Sequence, residues 1–182
     1  FPQIVEQRRR LRAAVAARPG EAGLDVGCGP GYLAYELARE VAPGGRIVAI
    51  DIGDDMLEVA RARVAGEKLG PHAEVRKGDA GSLEFPEATF DFVVGAQVYC
   101  FVEDILHAIK EAARVLRKGG RLVILDTDWD LCVWKSKDRL MTRRMIDYRR
   151  SDYVHPHLPR ELPGLFRAAG LTISAVDAYA IT

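Results

Sequence analysis

The sequence predicts an α/β chain built on a doubly wound, mostly parallel sheet flanked by helices. Short runs of Val, Ile, Leu and Ala recur, each closed by Gly or Asp and separated by stretches of helical periodicity, the signature of βαβ units. A glycine turn, Gly27-Cys28-Gly29-Pro30-Gly31, joins the first such run to the first periodic stretch. An aspartate, Asp51, closes the second run 20 residues after Gly31, the spacing that sets an acid beside the first turn of such a sheet.

Taken in order, residues 3–17 predict a leading helix that stops before Arg18-Pro19-Gly20, and Gly23–Val26 is the first strand. From Gly31 to Val41 a helix puts Leu33, Leu37 and Val41 on one face, because i, i+4 and i+8 align at 3.6 residues per turn. Arg46–Asp51 is the second strand, and a helix follows from about Asp55, with Asp55 and Glu58 at capping-box spacing. Ala73–Lys77 and Phe90–Gly95 are strands three and four. The helix from Asp104 to Arg117 turns Ile105, Ile109, Ala112 and Leu116 inward and ends on Lys118-Gly119-Gly120, a cation and a glycine suited to a helix C-terminus. Arg121–Leu125 is strand five. Beyond it come a charged helix over about Ser136–Arg150, a loop carrying His155-Pro156-His157, a helix stopping at Gly170, and a sixth strand from Leu171 to about Ala178.

The chain has 182 residues, 48% of them hydrophobic, with 26 basic against 26 acidic. This excludes a disulfide-stapled miniprotein and a disordered chain, and predicts one domain over residues 1–182, with 1–20 as a leading helix and 129–160 as a cap on one side of the site. A net charge of zero gives no global field for coating nucleic acid. No apolar run is long enough to span a bilayer. Three cysteines, Cys28, Cys100 and Cys132, without CxxC spacing suit a reducing compartment, and the expected location is cytoplasmic.

The glycine turn lets the backbone bend sharply and a ligand approach the helix N-terminus. Its spacing, G-x-G-x-G, departs from the dinucleotide fingerprint G-x-G-x-x-G, whose last glycine would fall at Tyr32. The departure points away from a nicotinamide cofactor; a tight turn without a ligand is the plainer alternative. Asp51, at the carboxyl edge of the second strand, is placed to accept both hydroxyls of a ribose. Asp79, in Gly78-Asp79-Ala80, adds a third polar group on the same edge, suited to an adenine amine; taken singly it reads as a turn residue.

On these segments the chain resembles the class I S-adenosylmethionine-dependent methyltransferases, in their small-molecule branch with the ubiquinone and sterol enzymes. LDVGCGPGYLAYELA looks like their first motif, VAIDIGDDML their acidic-loop motif, GDAGSLEFPEATFDFVV the third and fourth, and RVLRKGGRLVILD the one around strand five. The resemblance covers nearly all of the chain, and the ordered set is far more specific than any one motif. It implies a Rossmann-like fold whose last, antiparallel strand is either missing here or lies beyond the end of this sequence. It also implies that Asp25, Gly27, Cys28 and Gly29 line the methionyl end of S-adenosylmethionine. Asp51 would hold the ribose with Ile52 and Met56 against it, Asp79 and Ala80 would read the adenine, and Gln97 and Val98 would close over the cofactor. The product would be S-adenosylhomocysteine.

Methyl transfer is an in-line displacement, so positioning an acceptor in a dry site is the protein's main task and no acid or base is compulsory. For a hydroxyl or acidic carbon a base would help, and His155 or His157 is the candidate. Asp126 and Asp128 point to the same edge for acceptor recognition or proton removal. Trp129, Trp134 and Tyr99 are candidates for an apolar acceptor wall. The basic stretch 135–150 and Arg8, Arg9, Arg10 and Arg12 read first as solvated helix faces; the sharper reading is that they attract an anionic acceptor, or that one of the latter meets the cofactor carboxylate. A soft metalloid substrate at Cys100 and Cys132 is the remotest reading; no metal site is expected. The strand-four motif lacks the Asn/Asp-Pro-Pro-Tyr signature, which favours a small organic acceptor over nucleic acid. A non-catalytic S-adenosylmethionine-binding or scaffold domain is the contrasting reading, and a nicotinamide-dependent oxidoreductase the third.

Overall fold

The computed structural model describes residues 2–66, 72–132 and 136–180. Five strands form one sheet, β1 (Ala22–Val26), β2 (Arg46–Asp51), β3 (Ala73–Lys77), β4 (Phe90–Ala96) and β5 (Leu116–Leu125), in the order β3-β2-β1-β4-β5. Every pairing is parallel. The order reverses at β1, so the carboxyl ends of β1, β2 and β4 open a crevice there, where ligands of such sheets bind.

The described residues form six helices: α1 (Pro2–Val15), α2 (Tyr32–Val41), α3 (Asp54–Gly66), α4 (Ile105–Val115), α5 (Arg139–Arg150) and α6 (Leu158–Ala168). Alternate strand residues feed two cores. Leu24, Val26, Val48, Ile50 and Val93 pack with α4 and α6, while Ile47, Ala49, Phe92 and Val94 pack with α1, α2 and α3. A sheet buried on both faces explains why its strands read as continuous apolar runs. Leu33, Leu37 and Val41 are buried on α2 as their periodicity predicts.

Three local expectations are corrected. Asp55 is not a cap: α3 begins at Asp54, and Gly53, whose N–H is held by Asp51 Oδ1 at 2.9 Å, precedes it. Asp54 and Asp55 instead lie in the first turn, where acids favour the helix dipole. The helix after Asp104 does not reach Lys118-Gly119-Gly120. It stops at Val115, and those residues form an irregular stretch of β5, whose register shifts between the Phe90–Leu116 and Phe92–Arg121 pairs, with Gly119 at φ +79. A Lys-Gly-Gly run suits a strand irregularity as well as a helix end.

The sixth strand is absent among the described residues: 171–180 form no ladder, and β4 is the only strand paired to β5. Leu171 and Ile173 are half-buried between exposed neighbours, which supplied the alternating pattern, but alternation specifies a half-buried extended segment without naming a partner. The segment turns instead to α1, where Arg10 lies 3.2 Å from Asp177 and over the Tyr179 ring at 4.2 Å.

Candidate functional site

A cavity of about 1070 Å³ opens at the carboxyl ends of β1, β2 and β4. Every residue named from the sequence for cofactor contact lines it: Asp25, Gly27, Cys28, Gly29, Asp51, Ile52, Met56, Asp79, Ala80, Gln97 and Val98.

Its floor is the turn between β1 and α2. Gly27 adopts φ +66, and a Cβ there would collide with the Val98 side chain, so the position requires glycine twice over. Gly31, at φ +77, immediately precedes α2, and its backbone lies against Ala60 of α3 where a Cβ would come within 2.9 Å. The turn is fixed from β2: Asp51 Oδ2 accepts the Gly29 N–H at 2.8 Å and Oδ1 the Gly53 N–H. Two oxygens offer about four lone-pair sites. Asp51 therefore keeps acceptor capacity beyond the two amides.

Asp25 is the unusual group. It is 1% exposed, and its Oδ2 has no hydrogen-bond partner among the described residues. Burial pushes its pKa up to about 8, with the Asp51 charge adding and the Ala34 N–H opposing. A buried carboxyl with one satisfied oxygen on a cavity wall suits a ligand that brings a hydrogen-bond donor or a positive charge. Burial, with the Asp25 and Asp51 charges, holds the Cys28 thiol protonated, so it acts as a small wall residue.

Asp79 is both turn and wall: its Oδ1 accepts the Gly81 N–H at 2.7 Å while the residue lines the cavity. Gln97 sits at φ +56, rare for a residue with a Cβ, and its Nε2 donates to Thr127 Oγ1 at 2.9 Å. Such strain gathers where neighbouring structure holds a residue in place at a ligand site.

Sequence reasoning missed part of the wall. Ile4, Gln7 and Leu11 of α1, and Phe101, Glu103 and His107 after β4, also face the cavity. Tyr32, at the start of α2, is covered by Arg63 at 3.5 Å and Arg8 at 4.9 Å from its ring. Arg8 lines the cavity and is held by Glu36 at 3.0 Å, which singles it out among the leading-helix arginines. The Gln7-Arg8-Leu11 spacing of one helix face was the available signal; nothing in the sequence showed which layer that face would meet.

The candidates for acceptor chemistry are more scattered. Neither His155 nor His157 lines the cavity. His155 Nε2 is 3.4 Å from the Glu103 carbonyl oxygen, and His157, just before α6, stands 3.3 Å from Glu161 and 3.8 Å from Asp130. Arg160 holds Asp128 through two bonds, at 2.6 and 3.0 Å. Asp126, by contrast, has both oxygens shielded from solvent, and burial raises its pKa to about 6 against the lowering pull of Cys100 and the Tyr99 backbone. Tyr99 is fully buried in the core and not on the cavity wall. Trp129 stacks on Tyr153 at 4.6 Å, and Tyr153 meets the cavity residue Phe101 at 4.9 Å, an aromatic row leading away from the mouth. Trp134 and Lys135 lie outside the described residues. Cys28, Cys100 and Cys132 are unpaired thiols, and no group of His, Cys, Asp and Glu suited to a metal occurs among the described residues. No helix among them is long and apolar enough to cross a membrane.

A family sequence model described as "Methyltransferase domain" matches residues 24–124, more than half of the chain and the whole of the cavity floor. The chain belongs to this methyltransferase-domain family. Among curated relatives, the domain is 32% identical to a demethylmenaquinone methyltransferase of Symbiobacterium thermophilum, covering 89% of this chain and 72% of that one. It is 39% identical to nocamycin O-methyltransferase of Saccharothrix syringae over 63% of this chain and 40% of that one. A 37.1 kDa protein in transposon TN4556 of Streptomyces fradiae is 39% identical over 90% of this chain and 47% of its own length. The methyltransferase domain thus spans about half the length of several curated relatives it matches. A SAM-dependent methyltransferase from Aquifex aeolicus superposes with a TM-score of 0.69 at 22% identity, covering 90% of this chain and 78% of that one, which establishes the Rossmann-like fold. The [4+2]-cyclase SpnF superposes with a TM-score of 0.60 at 28% identity, covering 65% of this chain and 43% of that one.

Proposed function

We propose that this domain binds S-adenosylmethionine in the cavity over β1 and β2 and passes its methyl group to a small organic acceptor, leaving S-adenosylhomocysteine. The observation that carries the reading is the Asp51 carboxylate, braced by the Gly29 and Gly53 amides with acceptor capacity to spare, beside the buried Asp25 whose outer oxygen lacks a partner. The two fit the two ends of one molecule: Asp51 the sugar hydroxyls, Asp25 the amino end. Arg8 supplies a fixed cation for the carboxylate, Asp79 and Ala80 edge the adenine, and Ile52, Met56 and Val98 give apolar contact.

The bound cofactor would supply an electrophilic methyl on a positive sulfur. The chain's own work is to hold an acceptor in line with it and exclude water, worth about 7–11 kcal/mol of barrier where alignment is good. Phe101 lines the cavity and is exposed at 50%, so the acceptor is read as apolar or aromatic. Relatives named for demethylmenaquinone and nocamycin agree with a small organic acceptor. If the acceptor must lose a proton, His155, His157 and Asp126 are the candidates; burial raises the Asp126 carboxyl to about 6, against the lowering pull of Cys100 and the Tyr99 backbone. The cytoplasm is the proposed location, as the unpaired cysteines suggest.

Calorimetry with S-adenosylmethionine, S-adenosylhomocysteine and NAD tests the first step: binding of the first two and not the third is expected, and NAD binding alone would replace the reading with an oxidoreductase. An acceptor screen with labelled methyl, including naphthoquinols and phenols, tests the second. The likeness to a cyclase keeps one other reading, a domain that binds the cofactor without methyl transfer; tight binding with no labelled product from any acceptor would favour it.

A further inference from the structure

Helix α5 is built for an outside partner. It carries five arginines against one aspartate in twelve residues, in a chain whose net charge is zero. Thr142 is its one buried residue, so it lies on the protein by one narrow face. Met141, Met145 and Tyr148 recur at i, i+4 and i+7, forming a stripe on a different side, exposed at 60, 52 and 76%, with Leu140 beside them at 78%. Arg144 and Arg149 flank that stripe in a shallow surface groove. Among the described residues Arg139 and Arg144 have no ion pair, and Arg143 is only within 4.0 Å of Asp147.

We infer that α5 docks on an anionic lipid bilayer surface, its Met-Met-Tyr stripe at the level of the acyl boundary and its arginines reaching to the headgroup phosphates. Nucleic acid would use the arginines but leave the apolar stripe in water. An acidic protein surface would satisfy the charge yet need a groove to take flexible methionines. A bilayer with negative headgroups meets both demands, because in-plane helices combine an apolar stripe with long cationic side chains at its borders.

The helix is also linked to the cavity wall through an aromatic row. Arg149 lies over Trp129 at 5.7 Å and over Tyr153 at 5.5 Å, and Tyr153 packs on Phe101 of the cavity wall. Arg150 adds a tie to Asp130 at 2.7 Å. Docking through α5 therefore sets the acceptor side of the domain toward the membrane. That last step rests on the proposed methyl transfer to an apolar acceptor; the docking itself does not.

The test is flotation of the intact chain with vesicles of phosphatidylcholine mixed with phosphatidylglycerol, beside vesicles of phosphatidylcholine alone. The chain is expected to float with the anionic vesicles only, and to be released as salt rises. Replacing Arg143 and Arg144 by Gln should weaken binding about fivefold per arginine, and Met145→Asp should abolish it while the melting temperature and S-adenosylmethionine binding stay unchanged. Equal binding to neutral vesicles, or none to anionic ones at low salt, overturns the inference. So does a lipid-free dimer that Met145→Asp dissociates, since a second copy would then occupy the stripe. Failure of flotation with cofactor binding intact refutes the docking alone; loss of cofactor binding refutes the function alone.

Discussion

Over β1 and β2 the carboxyl edge is held by backbone amides, left-handed glycines and buried carboxyls, whereas past β5 it is held by exposed ion pairs and stacked rings. Asp51 accepts two amides and Asp25 is 1% exposed. Across the sheet, Arg160 is half-exposed on Asp128, and Trp129 leans on Tyr153. Backbone-built ground tolerates almost no substitution and suits a ligand that does not vary; side-chain-built ground can be re-cut for different acceptors.

The largest break in that contrast is expected at Gly27. Gly27→Ala forces a side chain into a left-handed conformation, costing about 1–3 kcal/mol, and drives its Cβ into Val98, adding about 1–3 kcal/mol of overpacking. Calorimetry should show S-adenosylmethionine binding lost and the melting temperature lowered. Val98→Ala in the same chain should recover part of both, because it removes the colliding methyls while the backbone strain and the close Val98 Cβ at 2.6 Å remain.

Asp51→Ala comes next. Each charge-assisted hydrogen bond it removes is worth about 1.5–3 kcal/mol, and those to Gly29 and Gly53 set the turn. Cofactor affinity should fall roughly 10–100-fold, with a smaller loss of stability, since both freed amides lie near solvent at the cavity. An unchanged affinity would remove Asp51 from the site.

The same contrast explains what could be read from the sequence. The parallel sheet, the glycine turn and the acids at the strand ends were legible because they follow from local rules, apolar runs, a glycine-rich βα turn and an acid at a strand end, while the other residues named for cofactor contact came from the family resemblance and all line the cavity. The irregular start of β5 was not, because Lys118-Gly119-Gly120 satisfies a helix end and a strand bulge alike, and only pairing of Leu116 with Phe90 decides. The sixth strand failed for a related reason, since alternation in Leu171–Ile173 does not say whether a neighbour strand is in reach. Arg8, Tyr32 and Phe101 reached the cavity through packing of α1 and the turn after β4, information that lies between segments and not within them. Asp126 and Asp128, two residues apart, looked equivalent; burial shielded one beside Cys100 while Arg160 claimed the other.

Asp25 sharpens the comparison through pH. Unfolded, it titrates near 3.8; folded, near 8. Within that interval the unfolded chain has released a proton that the folded chain keeps, so this group's contribution is full below the interval and falls as pH rises through it. Urea denaturation across the interval should show stability declining with pH, and Asp25→Asn should flatten the decline while weakening cofactor binding. A slope that survives the substitution would assign it elsewhere.

The smallest effect is expected past β5. Arg160 grips Asp128 through two hydrogen bonds, but the guanidinium stands half in water, where attraction is screened and fixing a long side chain costs entropy. Arg160→Ala should lower the melting temperature only slightly at low ionic strength, and the difference should vanish as salt is added. Cofactor affinity should not move, because neither residue lines the cavity. A salt-independent loss as large as that from Asp51→Ala would mean that the region past β5 is as rigidly built as the edge over β1, and the contrast between a fixed cofactor ground and an adaptable acceptor ground would not hold.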